Sequence, residues 1–182
     1  MNKHLKVLII ALCSIALVVG SVAVTMAYLV DITVTKNDTF TVGNIDIELN
    51  GAGDISHKMM PGATFDNTTV TVNGGSEDCY LFIKVDESAN FDDYLEYTMP
   101  NEWVKLDDVD NVYYREVGTN ADDQTFNVIT NFTAKSNCTK AQYDAITAET
   151  KPYIKVTAYA VQKVNIDTVA EAWNVAMQSA QP

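Results

Sequence analysis

The feature that most constrains this chain is the abrupt change of pattern at Ala27. From Val7 to Val24 the residues form an apolar run led by Lys3 and Lys6, and Thr25-Met26-Ala27 follows with small residues at the −3 and −1 positions of a signal-peptidase site. Directly beyond it the pattern turns to strand. Thr39-Phe40-Thr41-Val42 and Ile45-Asp46-Ile47-Glu48-Leu49 alternate apolar with polar residues, the two-residue period of a half-buried strand. Between them, Gly43-Asn44 has the chemistry of a tight reversal, which predicts a hairpin. Residues 1–27 therefore read as an export signal, with Thr25, Ala27 and Tyr28 marking the cut, and residues 28–182 as the exported part. The alternative is an uncut N-terminal anchor, since the apolar run is close to the shortest that spans a bilayer. Gly20 and Ser21 interrupt that run, and Leu12 before Cys13 does not make a lipobox. Contact with the membrane is then expected only through the uncleaved signal.

Removal of residues 1–27 from a chain of 182 leaves enough for one domain with its own core and too few for two. All 24 acidic residues follow Ala27, whereas Lys3 and Lys6 precede it, so the exported part carries ten basic residues and a formal charge of −14. Such a surface repels nucleic acid and anionic lipid, and with Arg115 as the only arginine no arginine cluster exists to read phosphates. The charge itself reads as a solubility device outside the cell.

Taken in order, Gly51–Gly62 is rich in Gly and short polar residues and is expected to be a loop holding His57. Thr69–Asn73 reads as a strand ended by Gly74-Gly75, and Cys79–Asp86 as the central one, with Leu81, Ile83 and Val85 on one face and Tyr80, Phe82 and Lys84 on the other. Asn90–Tyr97 has the cap and acidic first turn of a short helix. Trp103–Leu106 and Val112–Val117 read as two strands joined by the acidic turn Asp107–Asn111. A further strand is expected over Thr125–Ala134, with Phe126, Val128, Thr130 and Phe132 on one face, and the last over Tyr153–Lys163. Two capping boxes, Thr139–Gln142 and Thr168–Glu171, open a short inserted helix and a C-terminal helix. In the latter, Val169, Ala172, Trp173 and Ala176 make a stripe that Trp173 would anchor on the sheet. About eight short strands with helices confined to insertions and the C-terminus predict a mainly β fold, an antiparallel β-sandwich.

The chemistry of catalysis is poorly represented. His57 is the only histidine beyond residue 27, there is no H-E-x-x-H, and no G-x-S-x-G elbow occurs, so neither a zinc hydrolase nor a nucleophilic enzyme is expected, and no cofactor is implied. A pair of carboxylates placed as in a glycosidase stays open, because nothing selects two among 24. Asp107, Asp108 and Asp110 supply hard oxygens for a weak calcium candidate, with Asn111, Asp122 and Asp123 nearby in sequence, but the D-x-D-x-D-G spacing is missing and a solvated turn is the simpler reading. Cys79 and Cys138 are an even pair in an exported chain and predict a disulfide, which would contribute roughly 4 kcal/mol by restricting the unfolded state.

Ala27-Tyr28-Leu29-Val30-Asp31, followed by Asn37-Asp38-Thr39-Phe40-Thr41-Val42-Gly43-Asn44-Ile45-Asp46-Ile47, resembles the A-Y-F-T-D … N-x-F-x-x-G-x-[LI]-D-[LI] opening of the TasA/camelysin family of Gram-positive bacteria. Leu29 and Val30 replace the usual Phe and Thr. A looser likeness covers Met60-Pro61-Gly62 and Thr69–Asn73. The resemblance implies cleavage by a SipW-type signal peptidase, a jelly-roll sandwich, and a place in extracellular biofilm-matrix fibres beside other matrix proteins. Part of the family carries a metallopeptidase label, for which this chain has no recognisable zinc ligands.

The same opening segment suggests how copies would join. Once cut, Tyr28-Leu29-Val30-Asp31-Ile32-Thr33-Val34 is a free-ended, β-branched segment without proline, able to pair with an open sheet edge of a second copy in a head-to-tail chain. The expectation is a secreted structural subunit of the extracellular matrix or cell surface that self-associates through this strand. Two alternatives stand beside it: the segment folds back into its own monomer, leaving a surface adhesion or binding module that uses exposed aromatics such as Tyr113 and Tyr114, or the chain is a camelysin-like peptidase homologue. No C-terminal L-P-x-T-G sorting signal is present.

Overall fold

The computed structural model describes residues 30–35, 39–51, 55–119 and 121–180. Within them are eleven strands: β1 Val30–Thr35, β2 Thr39–Val42, β3 Ile47–Asn50, β4 Ile55–Met59, β5 Thr68–Val72, β6 Cys79–Glu87, β7 Leu95–Thr98, β8 Val104–Lys105, β9 Val112–Val117, β10 Gln124–Ala134 and β11 Tyr153–Gln162. Three helices accompany them: α1 Phe91–Tyr94, α2 Lys140–Asp144 and α3 Val169–Ser179. The first sheet runs β4-β1-β11-β6-β9-β8, with β2 also on β11, and the second runs β3-β5-β10-β7.

The fold follows from alternation along β6 and β11. Leu81, Ile83 and Val85 of β6 and Ile154, Val156, Ala158 and Ala160 of β11 point one way and meet Val70, Val72, Val128, Ile129 and Phe132 of the second sheet in the main core. The intervening residues Tyr80, Phe82, Tyr159 and Val161 point the other way and are covered by α3. The small side chains of Ala158 and Ala160, both wholly buried, belong to the face on which the sheets meet. Trp173 lies 5.3 Å from Phe82 and 5.3 Å from Tyr159, edge-on to the latter, and with Ala172 and Ala176 forms the buried stripe of the C-terminal helix. Aromatic pairs of this kind add about 0.5–1.5 kcal/mol each to the burial itself.

Both capping residues act as the sequence suggests. Thr139 Oγ1 accepts from the Gln142 N–H while Gln142 Oε1 accepts from the Thr139 N–H. Thr168 Oγ1 accepts from the Glu171 N–H, and Glu171 returns its carboxylate to the N–H of Asp167, one residue before the cap. The acidic turn joins β8 to β9 as a hairpin, with Val104 opposite Tyr114.

Four expectations are corrected. Gly43-Asn44 does not close a hairpin: β2 lies in the first sheet and β3 in the second, so the chain crosses the sandwich there. Gly43 takes φ +97° at this crossing, where a Cβ would stand 2.5 Å from Oε1 of Gln162. The segment Gly51–Gly62 contains β4 rather than being loop throughout. The helix expected over Asn90–Tyr97 is a single turn, because Leu95–Thr98 pairs with β10, and the Asn90 amide donates to the Thr150 carbonyl instead of capping. The sandwich is also not wholly antiparallel, since β1 and β2 both run parallel to β11.

Candidate assembly slot

The N-terminal strand occupies a place between two others. β1 pairs antiparallel with β4 over five residues, from Val30 opposite Met59 to Val34 opposite Ile55, and parallel with β11 over three, from Thr33 opposite Tyr153 to Thr35 opposite Lys155. Farther along the same edge of β11, β2 pairs from Thr39 opposite Ala158 to Val42 opposite Val161. Val30, Asp31, Ile32, Thr33 and Val34 of the expected joining segment are thus in the sheet of their own chain, in a slot whose walls are β4 and β11. Tyr28 and Leu29 lie outside the described residues, as do Thr25, Ala27 and the whole of the expected signal.

Other sequence-predicted residues fall elsewhere. Cys79 and Cys138 are free, buried thiols. Cys79 begins β6, whereas Cys138 donates its thiol to the carbonyl of Asp93 in α1, beyond the other end of that nine-residue strand. At strand rise this separation is roughly 25 Å, far beyond bridging distance. The predicted disulfide is therefore not formed. Burial pushes the Cys79 thiol up to about 11, with the neighbouring Asp78 charge adding to the shift.

Asp107, Asp108 and Asp110 make the β8–β9 turn. Asp108 and Asn111 take φ +59° and +57°, a left-handed conformation that short Asx residues tolerate, and the Leu106 N–H donates to Val112 O at 2.9 Å to close it. The turn's geometry therefore accounts for its composition. Asp123 accepts a hydrogen bond from the Gly74 N–H at 2.8 Å. Among the described residues no group of three or more His, Cys, Asp or Glu side chains is placed to hold a metal ion. His57 sits on β4 opposite Ile32.

The two tyrosines proposed as an exposed platform are half-buried. Tyr113 packs toward the main core, and the Tyr114 ring lies 6.3 Å from Phe82 on the opposite face. Tyr97 donates its hydroxyl to Glu87 Oε1 at 2.7 Å, and its burial, followed by that carboxylate, raises its ionisation well above the usual phenol range.

The residue least visible from sequence is Arg115. On β9 it stands opposite Leu81, an inward position, so the chain's only arginine enters the edge of the sandwich. Its guanidinium carbon lies 3.6 Å from the centre of the Phe126 ring and 5.6 Å from that of Trp103. Trp103 is fixed in turn by its indole N–H, which donates to Asn127 O at 2.7 Å. Burial lowers the Arg115 ionisation from its ordinary value, but a guanidinium stays charged at any ordinary pH. The signal was the alternation Tyr113, Arg115, Val117, which puts a unique cation on an apolar face.

No helix among the described residues is long and apolar enough to cross a membrane. Comparison of the chain with protein-family models, with curated proteins and with solved structures finds no match.

Proposed function

We propose that this protein is a secreted structural subunit of extracellular fibres, assembling through Tyr28–Val34 after removal of residues 1–27 by a SipW-type signal peptidase. The observation that carries the reading is the two-sided slot: an interior strand of the first sheet is supplied by the N-terminal end of the exported part and touches β11 over only three residues. An identical strand from a second copy entering between β4 and β11 remakes the same five antiparallel and three parallel pairings. The exchange therefore costs little in lost contacts. Each copy would receive one strand and offer one, a head-to-tail contact that does not close. The likeness of Ala27–Asp31 and Asn37–Ile47 to the TasA/camelysin opening supports the same reading, in which the fibres belong to the matrix or the cell surface, beside other matrix proteins.

The fold-back of β1 into its own sheet favours a second reading, a monomeric surface module. Electron microscopy and size-exclusion chromatography of the protein beginning at Tyr28, beside a version lacking Tyr28–Val34, separate the two. Filaments from the first and none from the second are expected; a first protein that stays monomeric across salt and pH would establish the monomeric module.

A further inference from the structure

Among the described residues, the guanidinium of Arg115 has no anionic partner. Its Nε is sealed from solvent and has no hydrogen-bond partner. No ion pair or side-chain hydrogen bond to a described residue engages the rest of the group, whereas Lys163 and Lys84, on the opposite, Tyr80 and Phe82 side of the sheet, do find partners: Lys163 meets Glu116 at 2.7 Å and Lys84 meets Asp86 at 3.1 Å. Glu102 is the acidic side chain whose charge bears on Arg115, yet the two do not form an ion pair. The rings of Phe126 and Trp103 hold the guanidinium by its faces. With Nε buried and the residue as a whole only partly so, the two terminal nitrogens form the accessible edge.

We infer that Arg115, framed by Trp103 and Phe126 at the edge of the sandwich, binds a carboxylate through its terminal nitrogens. The parallel N–H groups of that edge match the two oxygens of a carboxylate, and stacking on aromatic faces fixes their plane in advance. The alternative anion, a doubly charged phosphate, meets about twice the repulsion from an exported chain of formal charge −14, so a singly charged group is the better fit. The carboxylate is that of a small, singly charged acidic molecule; an Asp or Glu of a second copy is the other source that the test separates. The site lies on β9, apart from the slot between β4 and β11, and stands whether or not the chain forms fibres.

Because the chain has one arginine, a single Nε–H resonance reports on the site in 15N-labelled protein. Acetate and sodium chloride of equal ionic strength are titrated separately, and the protein is also diluted alone. A saturable shift with acetate, absent with chloride, is expected and assigns the site to a small carboxylate. A saturable shift on raising protein concentration alone assigns it to a second copy. Arg115→Lys, followed through the backbone amides of Trp103 and Phe126, is expected to weaken the response at least tenfold. No saturable shift in any arm, or an undiminished response in Arg115→Lys, would overturn the inference.

Discussion

The two edges of β11 are built differently. On one side β6 runs antiparallel to it without a break for nine residues, from Glu87 opposite Ile154 to Cys79 opposite Gln162. On the other side two short strands share the edge in parallel, β1 over three residues and β2 over four. The β6–β11 pair is also covered on both faces, by the second sheet and by α3, and Leu81, Phe82, Ile83, Ala158 and Ala160 are wholly buried. Parallel pairing is slightly weaker per residue than antiparallel pairing, and each backbone hydrogen bond contributes only about 0.5–1.5 kcal/mol net. The β6 side thus has the longer and better covered pairing, and under the proposed assembly the N-terminal side is expected to open without unfolding the rest.

The sharpest way to break this contrast is on its strong side. Phe82→Ala empties the space between β6 and Trp173 and is expected to cost about 3–5 kcal/mol in urea denaturation. A cost below 1 kcal/mol would mean that the outer face under α3 carries little of the stability.

A second prediction concerns pH. The folded Cys79 thiol keeps its proton to about 11, against an ordinary value of 9.0. Below about pH 9 both folded and unfolded states hold that proton, so the thiol gives stability no pH dependence. Between 9 and about 11 the unfolded thiol ionises first and stability falls, by about 2 kcal/mol. Cys79→Ala should remove that part of the alkaline slope, and thiol labelling should find Cys79 protected in the folded protein at pH 8 and both Cys79 and Cys138 reactive in denaturant.

The smallest expected effect is at the cover. Thr168→Ala removes the hydroxyl that accepts from the Glu171 N–H and should cost about 1 kcal/mol, seen as a lower melting temperature with the β6–β11 pairing intact.

Strand existence was legible because alternation is local. Thr68–Val72, Cys79–Glu87, Val112–Val117 and Tyr153–Gln162 each fall within a residue or so of their sequence-based bounds, the Thr139–Gln142 capping box is formed, and Thr168 caps the last helix while Glu171 reaches Asp167 instead of the cap. Partnership was not legible, because alternation says which face a residue takes and not which sheet it joins. Thr39–Val42 and Ile47–Asn50 look like a hairpin in sequence and belong to opposite sheets. Ile55–Met59 was hidden because Ser56, His57 and Lys58 give no apolar period. In β10 the register shifts after Asn127 and again before Thr133, Asn131 takes φ +51°, and Val128 and Ile129 are both buried; a simple two-residue count cannot foresee a bulge. The thiols misled for a related reason, since their spacing along the chain does not report that they lie at opposite ends of β6. Of the proposed slot, the sequence marked Tyr28–Val34 and the strand that became β11, but not β4 or the way the three pair.

Residue-resolved native-state hydrogen exchange on the monomer tests the contrast between the two edges most directly. Amides of β1 should exchange through a partial opening insensitive to Phe82→Ala, while those of Leu81–Val85 and Val156–Ala160 exchange only with global unfolding. Equal protection of β1 and β6, both lost together in Phe82→Ala, would contradict a separable N-terminal strand.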